Sequence, residues 1–186
     1  MIKHVKVNNS DGLIERIPFV GSPNCDNRPG SCVPEVLIIH AISLPPGEFG
    51  GQHIEQLFSN CLDPDEHPCF EEIKDLKVSA HVLIRRTGEM VQFVPLDKRA
   101  WHAGESQCEG RSCVNDFSIG IELEGCDDQP FEDAQYESLV RLSKSVMEAY
   151  PAINSKRIYG HSDISPGRKT DPGPHFDWPR YRRALG

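Results

Sequence analysis

The stretch Gly160-His161-Ser162-Asp163-Ile164-Ser165-Pro166-Gly167-Arg168-Lys169-Thr170-Asp171-Pro172-Gly173 puts an imidazole, an ammonium and a carboxylate on one turn-rich segment. A second imidazole, His40, ends the apolar run Val36-Leu37-Ile38-Ile39. Two imidazoles and one carboxylate suit a hard-to-borderline divalent ion, and three protein ligands leave a fourth tetrahedral position open. The set His40, His161 and Asp171 therefore points to a catalytic zinc rather than a structural one. Asp171 precedes Pro172, which biases it to extended backbone. Lys169 lies two residues from Asp171, so in extended backbone both side chains leave the same side. A cation beside a metal serves a developing anion, and in amide hydrolysis it would stabilise the tetrahedral oxyanion. Its neighbour Arg168 reads as an exposed loop cation.

A general base completes such a site. Phe117-Ser118-Ile119-Gly120-Ile121-Glu122-Leu123-Glu124-Gly125 alternates, with Ile119, Ile121 and Leu123 on one face and both carboxylates on the other, away from the aliphatic core. Glu122 is the natural base for an acidified water, but Glu124 shares its face, and spacing alone does not choose between them. Trp101-His102-Ala103-Gly104 offers an aromatic platform beside an imidazole. His53, His67, His81 and His175 have no spacing that ties them to a metal. No H-E-x-x-H, P-loop, G-x-S-x-G or G-x-G-x-x-G occurs.

The elements that must position these groups follow from hydrophobic periodicity. Val36 to Ile39 reads as a buried strand with His40 emerging at its end, and His161 follows Arg157-Ile158-Tyr159-Gly160 at a strand-to-loop exit. Residues 81–84 and 90–94, joined across Thr87-Gly88, form a hairpin candidate. Helical spacing marks Gln52 to Cys61 and Asp133 to Tyr150, the latter stopped by Pro151. Asp177-Trp178-Pro179 caps a short terminal helix whose Arg180, Arg182 and Arg183 read as a solvated face. Loops are expected at 21–35, 43–51, 62–70 and 104–116. Strands and helices interleave, so the expectation is an α/β fold, one domain over residues 1–186 with a central mixed β-sheet flanked by helices and long substrate-binding loops.

Composition narrows the partners. A formal net charge of −8 disfavours nucleic acid, which needs a basic face. The start, Met1 to Val7, has no apolar core of signal-peptide length, and no apolar run approaches a membrane span. Seven cysteines without a C-x-x-C pair are expected to be free thiols. These features together read as a cytoplasmic protein.

Five ordered motifs carry a resemblance: His40-Ala41-Ile42-Ser43-Leu44-Pro45-Pro46-Gly47, Val78-Ser79-Ala80-His81, Trp101-His102-Ala103-Gly104, Ser118 to Gly125, and Gly160-His161-Ser162-Asp163 with Lys169-Thr170-Asp171-Pro172-Gly173. Over roughly residues 15 to 182 the chain resembles the AmpD-type N-acetylmuramoyl-L-alanine amidases, a family related to the phage lysozyme-type amidases and the peptidoglycan recognition proteins. The resemblance implies zinc on His40, His161 and Asp171, with Glu122 as catalytic carboxylate and Lys169 as oxyanion stabiliser. It implies hydrolysis of the lactyl–L-alanine amide in 1,6-anhydro-N-acetylmuramoyl peptides during peptidoglycan recycling, with an indirect effect on β-lactamase induction. The implied partner is a small muropeptide, and the chain is expected to act as a monomer. Two positions depart from the family pattern: Ala41 stands where Asn is common, and Lys77 where Arg is common.

Two rival readings use the same residues. A non-catalytic muropeptide-binding module would dispense with a metal ligand, yet all three candidate ligands are present, as are Glu122 and Lys169. An amidase acting on polymeric peptidoglycan would solubilise intact wall.

Overall fold

A computed structural model describes residues 5–186, so Met1 to His4 of the N-terminal segment lie outside the described residues. The strands are β1 (Cys25–Asp26), β2 (Val36–Ile42), β3 (Val82–Ile84), β4 (Met90–Gln92), β5 (Arg99–Ala100), β6 (Gln107–Cys108), β7 (Arg111–Ser112), β8 (Ser118–Glu124) and β9 (Ile158–Gly160). The helices are α1 (His53–Phe58), α2 (Pro68–Glu71), α3 (Asp133–Ala149), α4 (His161–Ile164) and α5 (Trp178–Leu185). β4-β3-β8-β2-β9 form the central sheet, with β1-β5 and β6-β7 as separate two-stranded ribbons. Only β3 and β4 are antiparallel within the central sheet, so the expected mixed α/β architecture is the observed one.

The hairpin β3–β4 closes where Thr87-Gly88 was expected to turn, with the Arg85 N–H donating to Glu89 O (2.8 Å). Gly88 has a φ of +81° and the carbonyl oxygen of Ala134 would lie 2.6 Å from a Cβ there, so only glycine fits both the turn and the helix beside it. β2 and β8 are buried on both faces because each lies between neighbours and is covered above and below.

Leu37 and Ile39 of β2, Val82 and Ile84 of β3, and Ile119, Ile121 and Leu123 of β8 face the main core, which α3 and α5 complete through Leu139, Leu142, Val146, Tyr181 and Leu185. The opposite face of the sheet is covered by two separate apolar clusters. Leu83, Phe58, Phe70 and Phe93 belong to one, and Val36, Ile38, Ala103 and Phe117 to the other. His40, Gly120, Glu122 and Glu124 lie on this second face, so the alternation kept the carboxylates off the main core without placing them in solvent: both are buried.

Several expectations need correcting. β2 continues through Ala41 and Ile42, so His40 is inside the strand rather than at its end. His161 opens the one-turn helix α4 instead of entering a loop. α1 is shorter than Gln52 to Cys61, the expected loops 21–35 and 104–116 contain β1 and the β6–β7 ribbon, and α2 begins inside the expected loop 62–70. Of the three terminal arginines, two are engaged: Arg180 pairs with Asp133 (2.7 Å), and Arg182 donates to the carbonyls of Ser155 and Ile158. The seven cysteines are free, and no helix among the described residues is long and apolar enough to cross a membrane.

Candidate metal centre

Parallel pairing assembles the site. β2 and β8 run side by side with His40 opposite Glu122, and β2 pairs with β9 so that Ile39 stands opposite Gly160, immediately before His161. Asp171 arrives from the loop after α4, held by the Ser162 N–H donating to its carbonyl (2.9 Å). Among the described residues, His40, His161 and Asp171 are the one group able to hold a metal ion.

Their donor atoms make a nearly equilateral triangle. His40 Nδ1 lies 3.0 Å from His161 Nδ1, and Asp171 Oδ2 lies 3.1 Å from each. Tetrahedral zinc bonds of about 2.0–2.1 Å would separate such ligands by about 3.3 Å. His161 Nε2 donates to the carbonyl oxygen of Ala103 (3.1 Å). A carbonyl only accepts, so in the neutral ring Nδ1 carries the bare lone pair, turned towards the other two donors. The donor set, its edges and this tautomer fit a borderline divalent ion.

Burial shapes the electrostatics. Desolvation lowers the pKa of His40, although Asp171 opposes it, and pushes that of the neighbouring His102 well down. Burial raises the Asp171 carboxyl, but hydrogen bonds with His161 and His40 outweigh it and hold the group well below the usual carboxylate range. Glu122 is raised well above 4.5 by desolvation first and by the Asp171 charge second, while Lys169 opposes both. Its Oε2 is buried without a hydrogen-bond partner. An orphaned buried carboxylate oxygen beside a converging ligand set can exchange a proton without first giving up a structural hydrogen bond.

Glu124 has the opposite character. One oxygen accepts from the Gly50 N–H (2.6 Å) and from Arg85 (3.2 Å), and the other accepts from the Arg86 N–H (3.0 Å). It ties three segments together and takes no part in the metal cluster. Lys169 is exposed on the loop after α4, and its charge reaches both His40 and Glu122. The sequence-derived candidates His40, His161, Asp171, Glu122 and Lys169 thus share one region, and His53, His67 and His175 lie outside the cluster.

Three further residues make contacts at the site that local sequence does not announce. His102 places Nδ1 2.9 Å from His40 Nε2, a contact across 62 positions that no local spacing announces. Asn115 accepts from the N–H groups of both His102 and Ala103 through Oδ1 (3.2 and 2.8 Å). Arg168 is exposed, as its loop context suggests, and it also donates to the carbonyls of Ala103 and Glu105 (2.7 Å each) and to Ser165 Oγ (2.8 Å). It fastens the 103–105 segment to the loop that carries Lys169.

Comparison with known proteins gives this geometry its relatives. Residues 30–174 match the family described as N-acetylmuramoyl-L-alanine amidase. The chain is 58% identical over 163 residues to the 1,6-anhydro-N-acetylmuramyl-L-alanine amidase AmpD of Escherichia coli strain K12, covering 88% of this chain and 88% of the relative. A crystal structure of a selenomethionine AmpD derivative superposes with a TM-score of 0.93 at 51% identity, over 97% of this chain and 99% of that one. The amidase AmiD of E. coli, in complex with anhydro-N-acetylmuramic acid-L-Ala-D-gamma-Glu-L-Lys, gives a TM-score of 0.61 at 28% identity, over 98% of this chain and 66% of that one.

Proposed function

The chain belongs to the N-acetylmuramoyl-L-alanine amidase family, and from that premise we propose that it hydrolyses the amide between the lactyl group of muramic acid and L-alanine in 1,6-anhydro-N-acetylmuramoyl peptides. It does so with one zinc ion held by His40, His161 and Asp171. The observation that carries this reading is the triangle of His40 Nδ1, His161 Nδ1 and Asp171 Oδ2 beside the orphaned Glu122 Oε2.

Zinc held by His40, His161 and Asp171 would supply Lewis acidity towards the scissile carbonyl and towards water. Glu122 takes a proton from the attacking water, and burial makes it a stronger base than an exposed carboxylate. The water oxygen bonds to the carbonyl carbon, the C–N bond breaks, and Glu122 returns the proton to the leaving amine of L-alanine. Lys169 places positive charge where the carbonyl oxygen becomes an oxyanion. Arg168 holds the loop from which Lys169 projects against the 103–105 segment.

We place the reaction in the cytosol, on recycled wall fragments, which would keep inducible β-lactamase expression low by removing them. Seven free cysteines suit that compartment. The chain would act as a monomer, one amidase domain over residues 1–186.

Mass spectrometry of 1,6-anhydro-N-acetylmuramoyl-tripeptide incubated with the protein tests the reading. Release of free tripeptide, lost after chelation and restored by zinc, is the expected result. Intact substrate in a zinc-loaded sample overturns it in favour of a binding module, and release of soluble fragments from intact wall at a comparable rate favours the polymer-acting alternative.

A further inference from the structure

The two histidines of the metal centre present the same ring nitrogen, Nδ1, although they arrive on different elements. Which nitrogen an imidazole offers is set by the hydrogen bond its other nitrogen makes. Both of those second bonds end on one dipeptide. His40 Nε2 meets His102 Nδ1 at 2.9 Å, and His161 Nε2 meets the Ala103 carbonyl at 3.1 Å.

That dipeptide is itself held on every side. Asn115 Oδ1 accepts both of its backbone N–H groups. His102 Nε2 lies 3.0 Å from Ser118 Oγ, and Arg168 also donates to the Ala103 carbonyl, at 2.7 Å. The His102 ring packs this closely on β8 only because residue 120 has no side chain: a Cβ there would come within 2.5 Å of ring atoms Cγ and Nδ1. A larger residue would push the ring off the strand and away from His40.

We infer that His102–Ala103, hung on Asn115 and seated over Gly120, is the positioning element that makes both His40 and His161 offer Nδ1 to the metal. His102 accepts the His40 Nε2–H and donates its own Nε2–H to Ser118 Oγ, so its tautomer follows from the chain of bonds. The inference rests on the proposed zinc site, and it assigns positioning residues that touch neither metal nor substrate. His102→Asn keeps an acceptor oxygen near the place of Nδ1, whereas His102→Leu removes it.

Zinc affinity, measured by competition with a chromophoric chelator, tests this with wild type, His102→Leu, His102→Asn, Asn115→Ala and Asp171→Ala. His102→Leu and Asn115→Ala are expected to weaken zinc binding by roughly 10–100-fold, the usual effect of removing an outer partner of a ligand. His102→Asn is expected to recover most of the affinity. Wild-type affinity in both His102→Leu and Asn115→Ala overturns the inference. So does an Asn variant as weak as the Leu variant, because the effect is then one of packing. If His102→Leu does not fold, judged by circular dichroism of the metal-free protein, Asn115→Ala carries the same test with His102 in place. The metal reading fails separately if wild type takes no zinc, or if Asp171→Ala binds zinc as wild type does, and a protein that takes no zinc removes this inference with it.

Discussion

Glu122 and Glu124 leave the same face of β8, one pleat apart and both buried, yet their surroundings are opposite. Glu124 is met by Arg85 and by the backbone N–H groups of Gly50 and Arg86. Glu122 has an oxygen with no partner, and burial raises its pKa well above 4.5. A carboxylate satisfied on both oxygens is a structural tie, and one buried with an unpartnered oxygen beside the candidate ligand triangle can move a proton.

Glu122→Gln is expected to lower kcat by about 10²–10⁴-fold while leaving zinc content unchanged. The same variant has an opposite effect on the metal-free fold. A raised folded pKa means that the native state binds more protons than the unfolded chain above 4.5, so wild-type stability falls as pH rises from there. Urea titrations of metal-free protein should find Glu122→Gln more stable than wild type at pH 7, with the gap closing towards pH 4.5. A gap that is independent of pH would count against the raised pKa.

Glu124→Ala is expected to destabilise the protein by about 3 kcal/mol, the low end for breaking a buried pair. The low end applies because Arg85 keeps its bond to Glu55 at 2.6 Å. Activity per folded molecule should change far less than in Glu122→Gln. Steady-state rates normalised to folded fraction separate the two.

Lys169→Ala should lower kcat by roughly 10²–10³-fold, the usual loss for one oxyanion donor. KM and zinc affinity should hardly move, because Lys169 is exposed and lies outside the metal-binding group. Lys169→Arg should recover part of the rate. An equal rise in KM would assign the lysine to substrate binding instead.

His81 sets an acid limit. Its Nδ1 accepts from the Gly120 N–H and its Nε2 donates to Lys98 O, and burial pushes its pKa from 6.5 down to about 3. Below pH 6.5 the unfolded ring takes a proton that the folded ring refuses, so stability falls with falling pH until about pH 3. One such histidine contributes a slope of up to about 1.4 kcal/mol per pH unit. His81→Asn should be less stable at pH 7 and show a flatter decline into acid, read from urea midpoints across the range.

The sheet was legible because its signals are local, and part of the candidate site falls in one short segment. Val36 to Ile39 is apolar throughout, Ser118 to Glu124 alternates, and His161, Lys169 and Asp171 sit within one short segment. What stayed hidden depends on distant partners. Glu122 and Glu124 differ through Gly50, Arg85 and Arg86, none of them near in sequence. His102 gains its place from Gly120 and Ser118, and Arg168 acquires its bonds only once the 103–105 segment is folded beside it. The terminal helix was foreseen from its Asp177 cap and apolar spacing, but the fastening of Arg182 to Ser155 and Ile158 was not, because periodicity records which face a residue occupies and not what waits there.

His40 and Asp171 touch across 131 positions of chain. The candidate metal centre therefore cannot assemble on a ribosome-bound fragment that stops short of the last fifth of the chain: a nascent chain that has already paired β2 with β8 still lacks two of the three candidate ligands. Capture of an ion there would come last in the life history of each molecule. Because zinc would bind only the completed fold, it stabilises that fold by mass action, so a metal-starved cell would hold a pool of finished but less durable chains, and its first loss would be protein abundance alongside rate.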